Sequence, residues 1–431
     1  MSSYVPNTFE DRAAMLEKIG VKSIADLFDV PKGCEADLNL PAGKSPLEVE
    51  RIINALGAKN KVFRTMFLGA GAYNHYIPPV VSELAAREEF VTAYTPYQAE
   101  MSQGILQSIF EYQTEIANLT GMDASNASHY DGATATADGI LMCMGAKTKA
   151  ILSDALNPEY KAVVRTYLVP HGIEVVFAPT KNGVTDLDAL KTLIDDEVGA
   201  VCIQQPNFFG LIEDAESVGK IAKEKGAKFV MSCYPVALAL LKTPAECGAD
   251  VAAGEGQPLG LPLAFGGPYL GFLTCRENLM RKLTGRIVGE TVDHDGRPAY
   301  VLTLQAREQH IRREKSTSSI CSNEALCALT SSIYLAAMGK EGLKDVAKQC
   351  VSKAHYMKDE IDGFRLKYDG EFFNEFVIES DVDTSKIVDK LQKRGILAGL
   401  PLSDKDMLWC VTEMNTKDDI DEVVNVLREV K

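Results

Sequence analysis

Apolar residues recur every three to four positions over Asp11–Ile19 and again over Ser45–Leu56, and glycines close both runs, Gly20 and Gly57. That spacing predicts two helices at the start of the chain. Another helix is predicted over Ile105–Leu119. From about Asn126 to Thr274 the rhythm alternates. Short β-branched runs at Ala150–Leu152, Glu174–Phe177, Ala200–Gln204, Phe229–Ser232 and Phe272–Thr274 read as strands, and Tyr160–Leu168, Leu187–Asp195 and Ala215–Lys225 read as helices. Strands of continuous apolar character separated by helices imply a mainly parallel, covered sheet. A further helix is predicted near Asn323–Met338. Beyond about residue 340 the pattern becomes a strand at Phe372–Glu379, a helix at Thr384–Arg394, a strand at Met407–Thr412 and a closing helix at Lys417–Val430, with Thr416 and Asp419 spaced as a capping box. The expected division is an N-terminal helical segment (1–62), a large α/β domain (63–339) and a small C-terminal α/β domain (340–431).

At 431 residues the chain exceeds one ordinary core, which agrees with that division. Composition narrows the function. The formal charge of -15 argues against nucleic acid, which needs clustered Lys and Arg to meet phosphates. The opening Met1–Asn7 has neither a basic nor an apolar signal region, and no uncharged stretch is long enough to span a membrane. Ten cysteines occur without a CxxC pair, and the closest two, Cys321 and Cys327, have no histidine at metal-ligand spacing. Buried, reduced thiols in a metal-free cytoplasmic protein are the expectation.

Several segments carry candidate chemistry. Asn126–Ala137 is rich in small residues and leads into the apolar run Gly139–Met144. Small residues opening a helix can cradle an anion, or can simply allow the helix to approach a sheet. Gly69-Ala70-Gly71-Ala72-Tyr73-Asn74 imitates a dinucleotide fingerprint, but Asn74 replaces the third glycine and Pro78-Pro79 follows, so no such site is expected. The polar loop Thr92–Gly104 holds Tyr94, Thr95 and Tyr97, which suit a pocket wall or an interface as well as plain surface. Arg307–Lys315 is a basic cluster in an acidic chain. It reads either as a solvated helix face or as a subunit contact or anion-binding edge through Arg307 and Arg312.

The most informative place is a gap. In pyridoxal-phosphate (PLP) enzymes of the aspartate-aminotransferase class, fold type I, an Asp ends one core strand and protonates the pyridine nitrogen. A loop some two dozen residues later carries the Schiff-base lysine. Here those places read Ser232-Cys233 and Gln257, and no lysine lies between Lys242 and Lys282. A glutamine cannot form an imine, nor a Ser-Cys pair hold a pyridinium.

The segments FLGAGAYNHYIPPVV (Phe67–Val81), TAYTPYQAEMSQG (Thr92–Gly104), EYQTEIANLTGMDASNAS (Glu111–Ser128) and LQAREQHIRREKSTSSICSNEAL (Leu304–Leu326) closely resemble the glycine-cleavage P-proteins, the glycine decarboxylases, and within them the alpha-type chain of the two-chain form. Ser319 departs from the family's Asn. The resemblance implies that PLP sits in a partner subunit of similar fold, in an α2β2 heterotetramer, and that this chain binds no cofactor itself. It also implies that glycine is decarboxylated and its aminomethyl group passed to the lipoyl arm of the H-protein. Within that reading Tyr94, Thr95, Tyr97, Asn74, His75, Arg307 and Arg312 are candidates for the partner's pocket or the interface, and Gln257 and Cys233 mark the lost lysine and aspartate. Two other readings stand beside it: a free-standing PLP enzyme using an atypical lysine such as Lys242, and a non-catalytic scaffold or regulator.

Overall fold

A computed structural model describes residues 6–28, 36, 38–92, 96, 98–304, 309–321, 324–361 and 363–430. The chain forms two compact units, Met1–Lys61 and Val62–Lys431. In the first, the predicted helices are Phe9–Ile19 and Pro46–Gly57, each opened by a capping box, Thr8 with Asp11 and Ser45 with Glu48. None of their residues is buried.

The second unit is built on a seven-stranded sheet: β1 (Ala124–Ser125), β2 (Lys149–Ser153), β3 (Glu174–Ala178), β4 (Val198–Gln205), β5 (Lys228–Cys233), β6 (Val251–Glu255) and β7 (Gly271–Cys275). Its spatial order is β1-β7-β6-β5-β4-β2-β3. Strands β2 to β6 run parallel, and β7 is antiparallel to both neighbours. Alternate residues feed different cores. Ile151, Val201, Phe229, Met231 and Phe272 face one side, whereas Leu152, Cys202, Val230, Val251 and Leu273 face the other. Both faces are covered, which explains why the strands read as unbroken apolar runs.

The helix Gly132–Met144 lies on the second face with almost every residue buried. Its Gly139 permits this closeness, because a Cβ there would stand 3.0 Å from Val251 and 3.1 Å from Leu273. The C-terminal part forms a four-stranded antiparallel sheet of Arg365–Leu366, Glu375–Glu379, Asp406–Cys410 and Leu400–Pro401. Helices Thr384–Lys393 and Lys417–Val430 cover it around Trp409, Phe376, Ile387 and Val423. The Thr416–Asp419 capping box is present, with Asp419 N–H donating to Thr416 Oγ1 at 3.1 Å.

The structure corrects two expectations about elements and adds two elements the pattern did not show. The helix predicted at Asn323–Met338 runs over Ala325–Glu360, with Gly339 at φ 62° breaking it where the smaller domain was expected to begin. Val251–Glu255 is a strand, although its small residues carry no β-branched signal beyond Val251. The basic cluster is not a helix face: Gln309–Lys315 is a tight 3-10 segment broken at Arg313, φ 51°. A hairpin of Ile287–Val292 with Pro298–Thr303 joins β7 to that segment and had no counterpart in the sequence reading.

Candidate functional site

Strands β5 and β6 end side by side at Cys233 and Glu255, close to the first turn of the helix Gly132–Met144. A Gly is required at 132, since a Cβ would come within 2.1 Å of the Tyr160 hydroxyl and 2.6 Å of Glu255 N. The backbone N–H groups of such a turn attract an anion. Here the acceptor is internal. Glu255 Oε2 accepts from Gly132 N–H at 3.0 Å, and its Oε1 accepts from Gln257 N–H at 2.9 Å and Leu270 N–H at 3.1 Å. Burial pushes the Glu255 carboxyl up to about 8, against the pull of those three N–H donors.

Two residues on, Gln257 is buried and fully used. Its Nε2 donates to the carbonyls of Tyr73 at 2.9 Å and Leu261 at 2.8 Å, and its Oε1 accepts from Tyr73 N–H at 2.9 Å. The amide therefore mimics a strand neighbour for the segment Gly69–Tyr76. Cys233 at the end of β5 is buried, its thiol directed at the Ala253 carbonyl at 3.6 Å, and burial pushes its pKa well up. A thiol held neutral there offers neither a charge nor a nucleophile. Ser232 Oγ accepts from Thr136 Oγ1 at 3.3 Å.

The segment Gly69–Tyr76 threads between the central sheet and the C-terminal sheet, where two buried carboxylates hold it. Glu375 accepts from Ala70 N–H and Tyr73 O–H, both at 2.7 Å, and burial lifts it to about 7. Glu413 accepts from Tyr76 N–H and pairs with His75 Nδ1, each at 2.7 Å. Burial opposes charge on Glu413, but the His75 contact and the backbone bonds outweigh it and leave its pKa below the ordinary value. The other ring nitrogen of His75 meets the Tyr234 hydroxyl.

Of the residues singled out from sequence, the structure brings Gln257, Cys233, Asn74 and His75 into this one region. Both nitrogens of His75 are engaged, and Asn74 contributes its carbonyl to Thr412 Oγ1 at 2.7 Å. Arg312 lies elsewhere, on an exposed turn lining a different cavity. Tyr94, Thr95, Tyr97 and Arg307 lie outside the described residues. Sequence reasoning missed Glu255, Glu375 and Glu413. The signal for the first was a lone acid closing the apolar run Val251–Gly254; the other two are brought in by folding over some 300 residues and left no local trace.

Comparison with known proteins settles the family. The family model for the glycine cleavage system P-protein matches residues 2–427. The chain belongs to the glycine cleavage system P-protein family. Relatives include the proteins named probable glycine dehydrogenase (decarboxylating) subunit 1 from Desulfitobacterium hafniense, 50% identical with 100% of each chain covered, and from Moorella thermoacetica, 48% identical with 99% of each covered. A crystal structure of glycine decarboxylase (P-protein) of the glycine cleavage system, in inhibitor-bound form, is 41% identical, with a TM-score of 0.92 and 100% of both chains covered. Sphingosine-1-phosphate lyase from Burkholderia pseudomallei, at 15% identity, TM-score 0.68 and coverage of 92% and 93%, shares the fold alone. That fold is the PLP-dependent transferase type expected from the sequence.

Proposed function

We propose that this P-protein-family chain is the cofactor-free subunit of a two-chain glycine dehydrogenase (decarboxylating). One observation carries the reading: Gln257 stands in the loop between β6 and β7 with both ends of its amide bonded to backbone. The residues here do not fit PLP. The first N–H of the helix turn that would hold a phosphate is already taken by the Glu255 carboxyl, and no amine stands where the aldehyde would bond. No reaction step is therefore routed through this chain's own cavity.

In this reading a second subunit of similar fold carries the PLP, which supplies the electron sink when glycine loses its carboxyl as CO2. The remaining aminomethyl group passes to the lipoyl arm of the H-protein, whose disulfide is reduced. The working assembly is an α2β2 heterotetramer in the cytoplasm. Among the described residues no helix is long and apolar enough to cross a membrane. The unit Val62–Lys431 then comprises a large domain to Gly339 and a small one after it. Tyr94, Thr95 and Tyr97, with Arg307, are the residues through which this chain reaches its partner's pocket.

The test is reconstitution. Purified alone, the chain should show no borohydride-reducible imine and no glycine–bicarbonate exchange. Mixed with the second subunit and lipoylated H-protein, exchange should appear, and Tyr94→Phe or Tyr97→Phe should lower it without loss of assembly. A stoichiometric imine on Lys242 or any other lysine of the isolated chain would sink the reading. A second subunit fully active without this chain would make it a scaffold or regulator instead.

A further inference from the structure

A cavity of about 550 Å³ opens at the other end of the helix Gly132–Met144, between that helix, residues 281–284 and the turn Gln309–Lys315. Its wall is basic in a chain of charge -15. Lys282 has a structural task, donating to the Met142 carbonyl at 3.1 Å. Arg281, Arg312 and Lys315 are exposed, and none has an ion-pair partner among the described residues. Glu314 is exposed on the same wall, so three unpaired cations and one carboxylate leave the concavity with a positive excess that attracts anions.

The opposite wall holds Asp138, which is 2% exposed. Its Oδ2 is saturated, accepting from Ser318 Oγ at 2.7 Å and Thr284 Oγ1 at 3.3 Å and meeting His129 Nε2 at 3.1 Å. Asn126 Nδ2 donates to His129 Nδ1 at 2.8 Å, so the His129 proton sits on Nε2 and points at Asp138. Asp138 Oδ1, by contrast, is buried with no hydrogen-bond partner. A buried orphan acceptor is costly, and the cavity it lines is large enough to bring it a donor.

We propose that this cavity is a binding site for a small acidic amino acid. Charge complementarity sets the class: three free cations call for more than one anionic group, while the Asp138 oxygen calls for an ammonium. A compound with two carboxylates and one ammonium answers both, and the volume suits a metabolite of that size. The site is separate from the region of Glu255 and Gln257 and does not depend on the catalytic reading.

The experiment is calorimetric titration of the full chain with L-glutamate, with glycine and inorganic phosphate as controls. Glutamate should bind saturably and more tightly than either control. Arg312→Ala, on the exposed rim, should weaken it about tenfold or more, the loss expected for a charge-assisted contact. Asp138→Asn should weaken glutamate but not phosphate. If that buried substitution unfolds the chain, as melting would show, Arg281→Ala beside Arg312→Ala keeps the test decisive. No saturable binding, equal binding of phosphate, or rim variants that bind like the unsubstituted chain would each overturn the proposal.

Discussion

Glu255 shows how one side chain can replace a ligand. Three backbone N–H groups converge on its carboxyl, an arrangement that elsewhere would welcome a phosphate. Its ionisation bears on stability. The folded carboxyl binds its proton up to about 8, against an ordinary value of 4.5, so the folded state holds more protons than the unfolded one between those limits. This contribution is full below the ordinary value and falls as pH rises through the interval. Glu375, lifted to about 7, acts with the same sign. The melting temperature should therefore decline between about pH 5 and about pH 8, and Glu255→Gln should flatten the decline. An unchanged slope in the variant would remove Glu255 as its source. Gln257 supports a second expectation. Gln257→Lys alone should create no glycine-decarboxylating activity, because the pyridinium partner would still be absent. It should also cost about 1–3 kcal/mol, since Tyr73 N–H loses its acceptor. Urea denaturation and glycine–bicarbonate exchange read the two, and exchange by the isolated variant would contradict the expectation.

Elements with a clear periodic signal were legible. Lys149–Ser153, Val198–Gln205 and Lys228–Cys233 extend the predicted strands by one or two residues at each end, because β-branched runs buried on both faces have no competing reading. Val251–Glu255 was not, because its small residues answer close packing, a Cβ on Gly254 coming within 2.2 Å of the Cys233 carbonyl, and not strand propensity. The candidate site divides likewise. The absence of any lysine between Lys242 and Lys282 was visible because it is a property of the sequence alone, whereas the carboxylates holding Gly69–Tyr76 come from the distant C-terminal part of the chain. That segment gives the element-scale prediction. A Cβ on Gly69 would stand 2.4 Å from Glu375 Oε1 and 2.7 Å from Cys410 Cβ, both in the C-terminal sheet. Gly69→Ala should destabilise the fold by about 1–3 kcal/mol, the usual cost of overpacking. A denaturation midpoint equal to that of the unsubstituted chain would mean the segment can shift freely.

At the scale of the molecule, the first unit exposes what a folded chain ordinarily hides. Phe9 is 82% exposed and Ile53 is 59% exposed, and neither Phe9–Ile19 nor Pro46–Gly57 has a buried residue. Helices of 11 and 12 residues are marginal in water without a surface to cover their apolar side. A membrane does not suit them, since the acidic residues Glu10, Asp11, Glu17, Glu48 and Glu50 outnumber Arg12, Lys18 and Arg51 on the two helices, where anionic lipid needs a basic polar face. Two copies of a chain of charge -15 would also approach each other against repulsion. The second subunit of the proposed enzyme would offer such a surface, which can be tested in the full chain. Phe9→Ser and Ile53→Ser should leave the melting of the free chain within about 0.5 kcal/mol, as exposed substitutions do. They should weaken association with the second subunit by about tenfold or more, as loss of a large apolar anchor does. Light scattering of mixtures over a concentration series reads the association. If both variants assemble as the unsubstituted chain does, these helices do not form the contact.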